Sequence, residues 1–258
     1  MAAGHMAPDW MNFHDPTGKF TLKHQGAYPV VEVRVSHQDK VLAEAGAMLS
    51  MHGDVDLDIT TKGSSGGCCA KSCLCCCADE NFYQTEFYPK PEVPQNVGLD
   101  VLLGPRLPGN IVMLHLTGQD FWRLEPGAYL CGDPTVQIGV EVQGISKGCC
   151  GGEGFFLLKA EGQGRMCISA YGSILRYDLQ PGEKRVVDNG MLVAWNGSMD
   201  YNIAKAAKTI YASCLSGEGF VCSFTGPGTV FVQSHNPADL AVAVAEHLPV
   251  QMPQSEAA

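Results

Sequence analysis

The chain has 258 residues, 45% of them apolar and 17% charged, enough apolar material for one large all-β domain or two smaller ones. A formal charge of −10 opposes nonspecific binding to nucleic acid or anionic lipid, both of which require a positive field. Thirty glycines and fifteen prolines without a collagen period suit many tight turns, and no apolar run has the length of a spanning helix.

Residues 1–27 read as a loose lead-in without periodicity. This segment lacks the basic start and apolar centre of a secretory signal. Twelve cysteines without such a signal imply reduced thiols, so the expected compartment is the cytoplasm. Pro29 to Val35 alternates apolar and polar residues, which predicts a half-buried strand. Asp54 to Thr61 also alternates, with acids on one face and Val55, Leu57 and Ile59 on the other. Its counterparts are Val136 to Val142 and Tyr201 to Ile203. Asn110 to Leu116, Arg165 to Ala170 and Gly228 to Gln233 are further predicted strands, each leaving a glycine turn. Pro237 to Leu248 predicts a short helix with proline in its first turn, and a polar tail follows within 237–258.

These elements recur. Gly151-Gly152-Glu153-Gly154-Phe155-Phe156 returns as Ser216-Gly217-Glu218-Gly219-Phe220-Val221, and a degraded copy stands at Ala78-Asp79-Glu80-Asn81-Phe82-Tyr83. Upstream, Asp39, Asp120 and Glu183 each lie seven residues before a glycine (Gly46, Gly127, Gly190). An acid stands two residues before each of those glycines (Glu44, Glu125, Asp188), and an apolar run follows each. Internal repetition of this kind marks one structural unit used several times. A single sheet would leave its apolar face bare, whereas related sheets bury those faces against one another. The expected fold is all-β: one body of three antiparallel lobes, about 28–112, 113–174 and 175–236, with pseudo-threefold symmetry and a β-prism-like outline.

Gly46-Ala-Met-Leu, Pro108-Gly-Asn-Ile, Gly127-Ala-Tyr-Leu-Cys, Lys147-Gly-Cys-Cys-Gly-Gly-Glu-Gly-Phe-Phe, Gly162-Gln-Gly and Ser216-Gly-Glu-Gly-Phe together resemble the altered-inheritance-of-mitochondria 24 family, from about Val30 to His235. The resemblance implies a fold like that of the tryptophan-RNA-binding attenuator protein, a variant of the double-stranded β-helix. It carries no established reaction and no catalytic residues. Its fungal members are associated with mitochondrial inner-membrane architecture, which makes a mitochondrial location the family-based alternative. Function is not given by fold alone, and the acidic balance argues against RNA as a ligand.

Cys68, Cys69, Cys73, Cys75, Cys76 and Cys77 place six thiols within ten residues. Three readings compete: soft-metal binding of Zn or Cu, S-acylation that would hold the chain at a membrane surface, and an inert strand and loop of small buried side chains. Cys76, Cys149 and Cys214 each lie four residues before a motif glutamate, so equivalent lobes would give them, with Cys150, equivalent places for a weaker metal site. Glu80, Glu153 and Glu218 suggest a ring of carboxylates. A glutamate beside Gly154 or Gly219 at a hairpin also serves as an acceptor that fixes the turn. The histidines form no metal constellation, and no triad or phosphate-cradling loop is present. The expectation is a non-catalytic scaffold or binding protein that self-associates or binds protein partners and has no cofactor. The alternative is a cysteine-rich metal-binding or redox-responsive module.

Overall fold

Gly and Pro turns between period-two stretches fold the chain into antiparallel hairpins. The structure, a computed structural model, describes residues 15–24, 26, 28–62, 83–143, 155–205 and 220–247. The first strands are β1 (Phe20–Lys23), β2 (Val30–Val35), β3 (Val41–Glu44), β4 (Met48–Met51), β5 (Val55–Thr61), β6 (Tyr83–Pro89) and β7 (Leu99–Leu103). Next come β8 (Ile111–Thr117), β9 (Trp122–Leu124), β10 (Tyr129–Gly132), β11 (Val136–Gln143) and β12 (Phe155–Ser169). The last are β13 (Ile174–Leu179), β14 (Lys184–Asp188), β15 (Leu192–Asn196), β16 (Asp200–Lys205), β17 (Phe220–Thr225) and β18 (Gly228–Gln233). One helix, α1 (Pro237–His247), follows and buries none of its residues.

The pairing repeats in step with the sequence. In the first unit β7 lies between β2 and β4, and β6 between β3 and β5. In the second, the C-terminal half of β12 lies between β8 and β10, while its N-terminal half pairs with β9 and β11. In the third, β18 lies between β13 and β15, and β17 between β14 and β16. A register shift follows each repeat glycine at the same distance: Met48/Ser50, Tyr129/Cys131 and Leu192/Ala194. Gly46 and Gly127 turn the chain at φ +87° and +81°, where Ala47 and Ala128 donate to the carbonyls of Glu44 and Glu125 at 3.1 Å. In the third unit a 3-10 turn at Asn189–Met191 replaces this, with the Asp188 carboxylate accepting from the Gly190 N–H.

Consecutive units are joined edge to edge. β10 pairs with β3, and β15 pairs with β9, so each joint makes one sheet from halves of two units. Because β12 runs through both of these sheets, hydrogen bonding is continuous across eleven strands. The two outer half-sheets stand apart, one ordered β1-β2-β7-β4 and the other β14-β17-β16. Three apolar clusters lie in series, and the joint strands serve two of them at once. Leu130 and Cys131 face the first cluster and Tyr129 the second, while Val193 and Ala194 face the second and Leu192 and Trp195 the third.

The all-β expectation holds, and the strand pairing shows the repetition without showing a threefold axis: β4 and β14 are not hydrogen-bonded to each other. The lead-in is not loose from Asp15 onward, since β1 pairs with β2 along its full length and buried charges hold the turn before it. Alternation in so short a segment gives no signal above its polar flanks, so its anchoring is a tertiary property.

Candidate functional site

The cysteines proposed as metal ligands and the Glu-Gly repeat box fall outside the described residues: Cys68, Cys69, Cys73, Cys75, Cys76, Cys77, Cys149, Cys150, Cys214, Glu80, Glu153, Glu218, Gly154 and Gly219. The cysteines that are described, Cys131, Cys167 and Cys222, are buried and free. Burial, reinforced by Cys167 opposite it, pushes the Cys131 thiol well up. Burial, with Glu125 and Asp188 nearby, pushes that of Cys222 up to about 12. A thiol held protonated is a poor nucleophile and a poor metal ligand. Among the described residues, no group of three or more His, Cys, Asp or Glu side chains is placed to hold a metal ion. No described helix is long and apolar enough to cross a membrane.

The densest polar cluster is a clamp on the N-terminal segment. Lys19, with a side chain 3% exposed, donates to Asp133 at 2.6 Å, to the Lys40 carbonyl at 2.7 Å and to Asp39. Arg165 on β12 meets Asp133 at 2.8 Å and Asp15 at 2.6 Å, and also reaches Thr17. Burial works against ionising Asp15, yet the N–H groups of Phe20 and Thr17, the Thr17 hydroxyl and Arg165 hold its carboxyl below the usual range. Asp133 is lowered in the same way by Arg165 and Lys19. Each charge is matched inside the cluster, so its role is to fasten residues 15–23 to β10 and β12 rather than to leave a group free for chemistry.

The acids two residues before each repeat glycine do three different things. Glu44 reaches the fully buried Lys62 at 2.7 Å, and Asp188 caps the 3-10 turn. Glu125 is half-buried as a residue, but its Oε1 is sealed from solvent and makes no hydrogen bond among the described residues, and burial pushes its carboxyl up to about 8. Tyr201 and Cys222 lie close enough to interact with its charge, and Trp195 packs edge-on to Tyr201 and Phe224 at 5.3 and 5.4 Å between centroids. Arg123 lies between the Phe121 and Tyr201 rings and is gripped by Glu141 at 2.8 and 3.2 Å. The sign of a pH effect follows directly. Between the ordinary carboxyl value near pH 4 and about pH 8, the unfolded chain loses a proton that folded Glu125 keeps, so stability falls as pH rises. Glu125→Gln is therefore expected to raise thermal stability at pH 8, by on the order of 2 kcal/mol after structural relaxation, and to change little at pH 4.5. Thermal melts at the two pH values check this, and an equal effect at both would contradict it.

A shallow cleft of about 340 Å³ is lined by Gly118, Gln119, Asp120, Phe121, Gln137, Glu161 and Gly162. Its polar lining consists of the Asp120 and Glu161 carboxylates and the Gln119 and Gln137 amides.

The surface feature that departs from ordinary packing is at the strand edges. Met48 and Leu49 on β4 are 40% and 56% exposed, and Val186 on β14 is 63% exposed. The counterparts of Met48 and Leu49 on β10 and β15 are buried. On β5, Leu57 and Ile59 are exposed as well, so the alternation that predicted a half-buried strand leaves part of its apolar face open. An aliphatic edge strand invites pairing with another chain. The sequence marked Met48, Leu49, Leu57 and Ile59 as apolar, but an edge strand has the same pattern as an interior one.

Residues 20–235 match the family described as Mitochondrial biogenesis AIM24. The chain belongs to this family. An uncharacterised protein of Streptococcus pyogenes serotype M6 is 29% identical over 232 residues, spanning 90% of this chain and 91% of that one. The X-ray crystal structure of a Streptococcus pyogenes protein superposes with a TM-score of 0.70 at 28% identity, covering 89% of this chain and 99% of that one. Membership in the AIM24 family therefore comes with relatives of unassigned function, and the strand edges and buried clusters carry the functional argument.

Proposed function

We propose that this AIM24-family protein is a non-catalytic scaffold that works by self-association. One contrast carries the reading: β4 exposes Met48 and Leu49, while the strands at the same repeat position, β10 and β15, are buried against a neighbouring unit. Aliphatic side chains left open at sheet edges contribute stability only when a partner covers them, at about 25 cal/mol per Å² of apolar surface buried. The clamp around Lys19 supports a structural role, since its charges are spent on holding the N-terminal strand. The net charge of −10 directs the choice of partner toward protein and away from nucleic acid.

Light scattering on the reduced full chain over a hundredfold range of concentration tests this. The expected mass is a whole-number multiple of 27.6 kDa that persists to low micromolar protein. A chain that remains at 27.6 kDa at the highest concentration sinks self-association as its mode of action.

A further inference from the structure

The joints inside the chain obey one register rule. Counting from the repeat glycine, Cys131 is four residues after Gly127 and pairs with Ala43, three before Gly46. Gly132 and Leu42 are the next pair. At the second joint, Ala194 is four after Gly190 and pairs with Leu124, three before Gly127, followed by Trp195 with Arg123 and Asn196 with Trp122. Both joints thus place position +4 against −3, +5 against −4, and so on, in antiparallel sense. Among the described residues there are three copies of each edge, and two are joined. The spare +4 edge is β4, on the half-sheet β1-β2-β7-β4, and the spare −3 edge is β14, on the half-sheet β14-β17-β16.

Resting on the self-association reading, we infer that β14 of one chain pairs antiparallel with β4 of a second copy, head to tail, in the register of the internal joints. That register sets Ser50 against Val187, Met51 against Val186 and His52 against Arg185. The joint completes a sheet of the kind already formed twice within the chain. It also supplies a cover for Leu49, because the equivalent Leu130 and Val193 are buried in the core of the preceding unit. In the chain that supplies β14, that core is the cluster containing Val187, Trp195, Cys222 and Phe224. Small residues recur at position +4 as Ser50, Cys131 and Ala194, which lets the strands of each joint approach closely. Two different edges meet, so the contact is heterologous and generates a ring if the rotation closes and a filament if it does not.

The test uses two full-length variants at positions more than half exposed in the single chain, Val186→Glu and Leu49→Glu. Each keeps one good edge and spoils the other. Separately, each is expected to run at 27.6 kDa with the melting temperature of a folded chain. Mixed in equal amounts, the intact β4 of Val186→Glu meets the intact β14 of Leu49→Glu, and the two spoiled edges stop further growth. The mixture is expected to form a dimer of twice the chain mass. Hydrogen exchange reads the register: His52 already donates to the Asp100 carbonyl within the chain, so the Met51 amide faces the open edge and is protected in the wild type and at least tenfold less so in Val186→Glu. Wild-type assemblies that survive both substitutions, or a mixture that stays monomeric, overturn the β4–β14 pairing while self-association stands. A wild type that is monomeric at every concentration overturns both.

Discussion

Asp133→Ala is expected to cost about 3–5 kcal/mol of folding stability, the penalty of removing one partner from a buried ion pair. The carboxylate meets Lys19 at 2.6 Å and Arg165 at 2.8 Å, and Lys19 has no route to solvent with its side chain 3% exposed. Without Asp133 the ammonium keeps the half-exposed Asp39 and the Lys40 carbonyl, and a second cation, Arg165, loses the same partner. For a chain of this size the loss corresponds to a drop in melting temperature of roughly 6–20 °C. Exchange of the β1 amides should accelerate with it, because the clamp is what fastens that strand's N-terminal turn. Lys23→Ala is the control: its pair with Glu32 is 43% and 36% exposed, and a change above about 1 kcal/mol there is not expected. Acid has the same target as the mutation. Asp15 and Asp133 have folded values below the unfolded value near 4, so their stabilisation is complete above about pH 4 and is lost as pH falls through the folded values. A flat stability profile from pH 5 to pH 2, or a melting temperature unchanged in Asp133→Ala, would show that the cluster does not fasten the segment.

Gly162→Ala is expected to cost about 3 kcal/mol or more. Gly162 has φ +110°, a conformation that L residues rarely adopt, and an added Cβ would overlap the carbonyl oxygen of Thr135 across the sheet. Backbone strain of about 1–3 kcal/mol and overpacking of similar size both apply. The glycine sits where β12 changes partners: residues up to Gly162 pair with β11, and those from Gln163 onward pair with β8. Shifting the backbone there disturbs both internal joints at once. Gly127→Ala separates the two causes, since its φ is +81° but nothing lies within 4 Å of the added carbon, so about 1–2 kcal/mol of strain is all that is expected. Chemical denaturation of the three proteins gives the comparison. Equal losses for both glycines would remove the steric part of the argument.

The same residues show how far the sequence carries. Gly162-Gln163-Gly164 is legible as part of a repeat, but as a turn between strands. In the structure it is the bend of one strand fifteen residues long, because hydrogen bonds to β9 and β11 on one side and β8 and β10 on the other carry the chain straight through. The acids Glu44, Glu125 and Asp188 are picked out as one repeat position, yet what each does depends on its surroundings: a buried lysine, a site closed to solvent, or a turn N–H. The clamp was not legible at all. Asp15, Lys19, Asp133 and Arg165 are up to 150 residues apart, and nothing local distinguishes them from solvated charges.

By itself the sequence determined the all-β class, the C-terminal helix, the recurrence of the unit and the family, since these rest on period-two alternation, glycine positions and motif order that are local properties of the chain. Tertiary structure alone decided which edges are joined and which are open. β4, β10 and β15 follow equivalent glycines with similar apolar runs, but a strand's burial depends on whether another unit precedes it in space. Among the described residues, only β10 and β15 have one within the same chain.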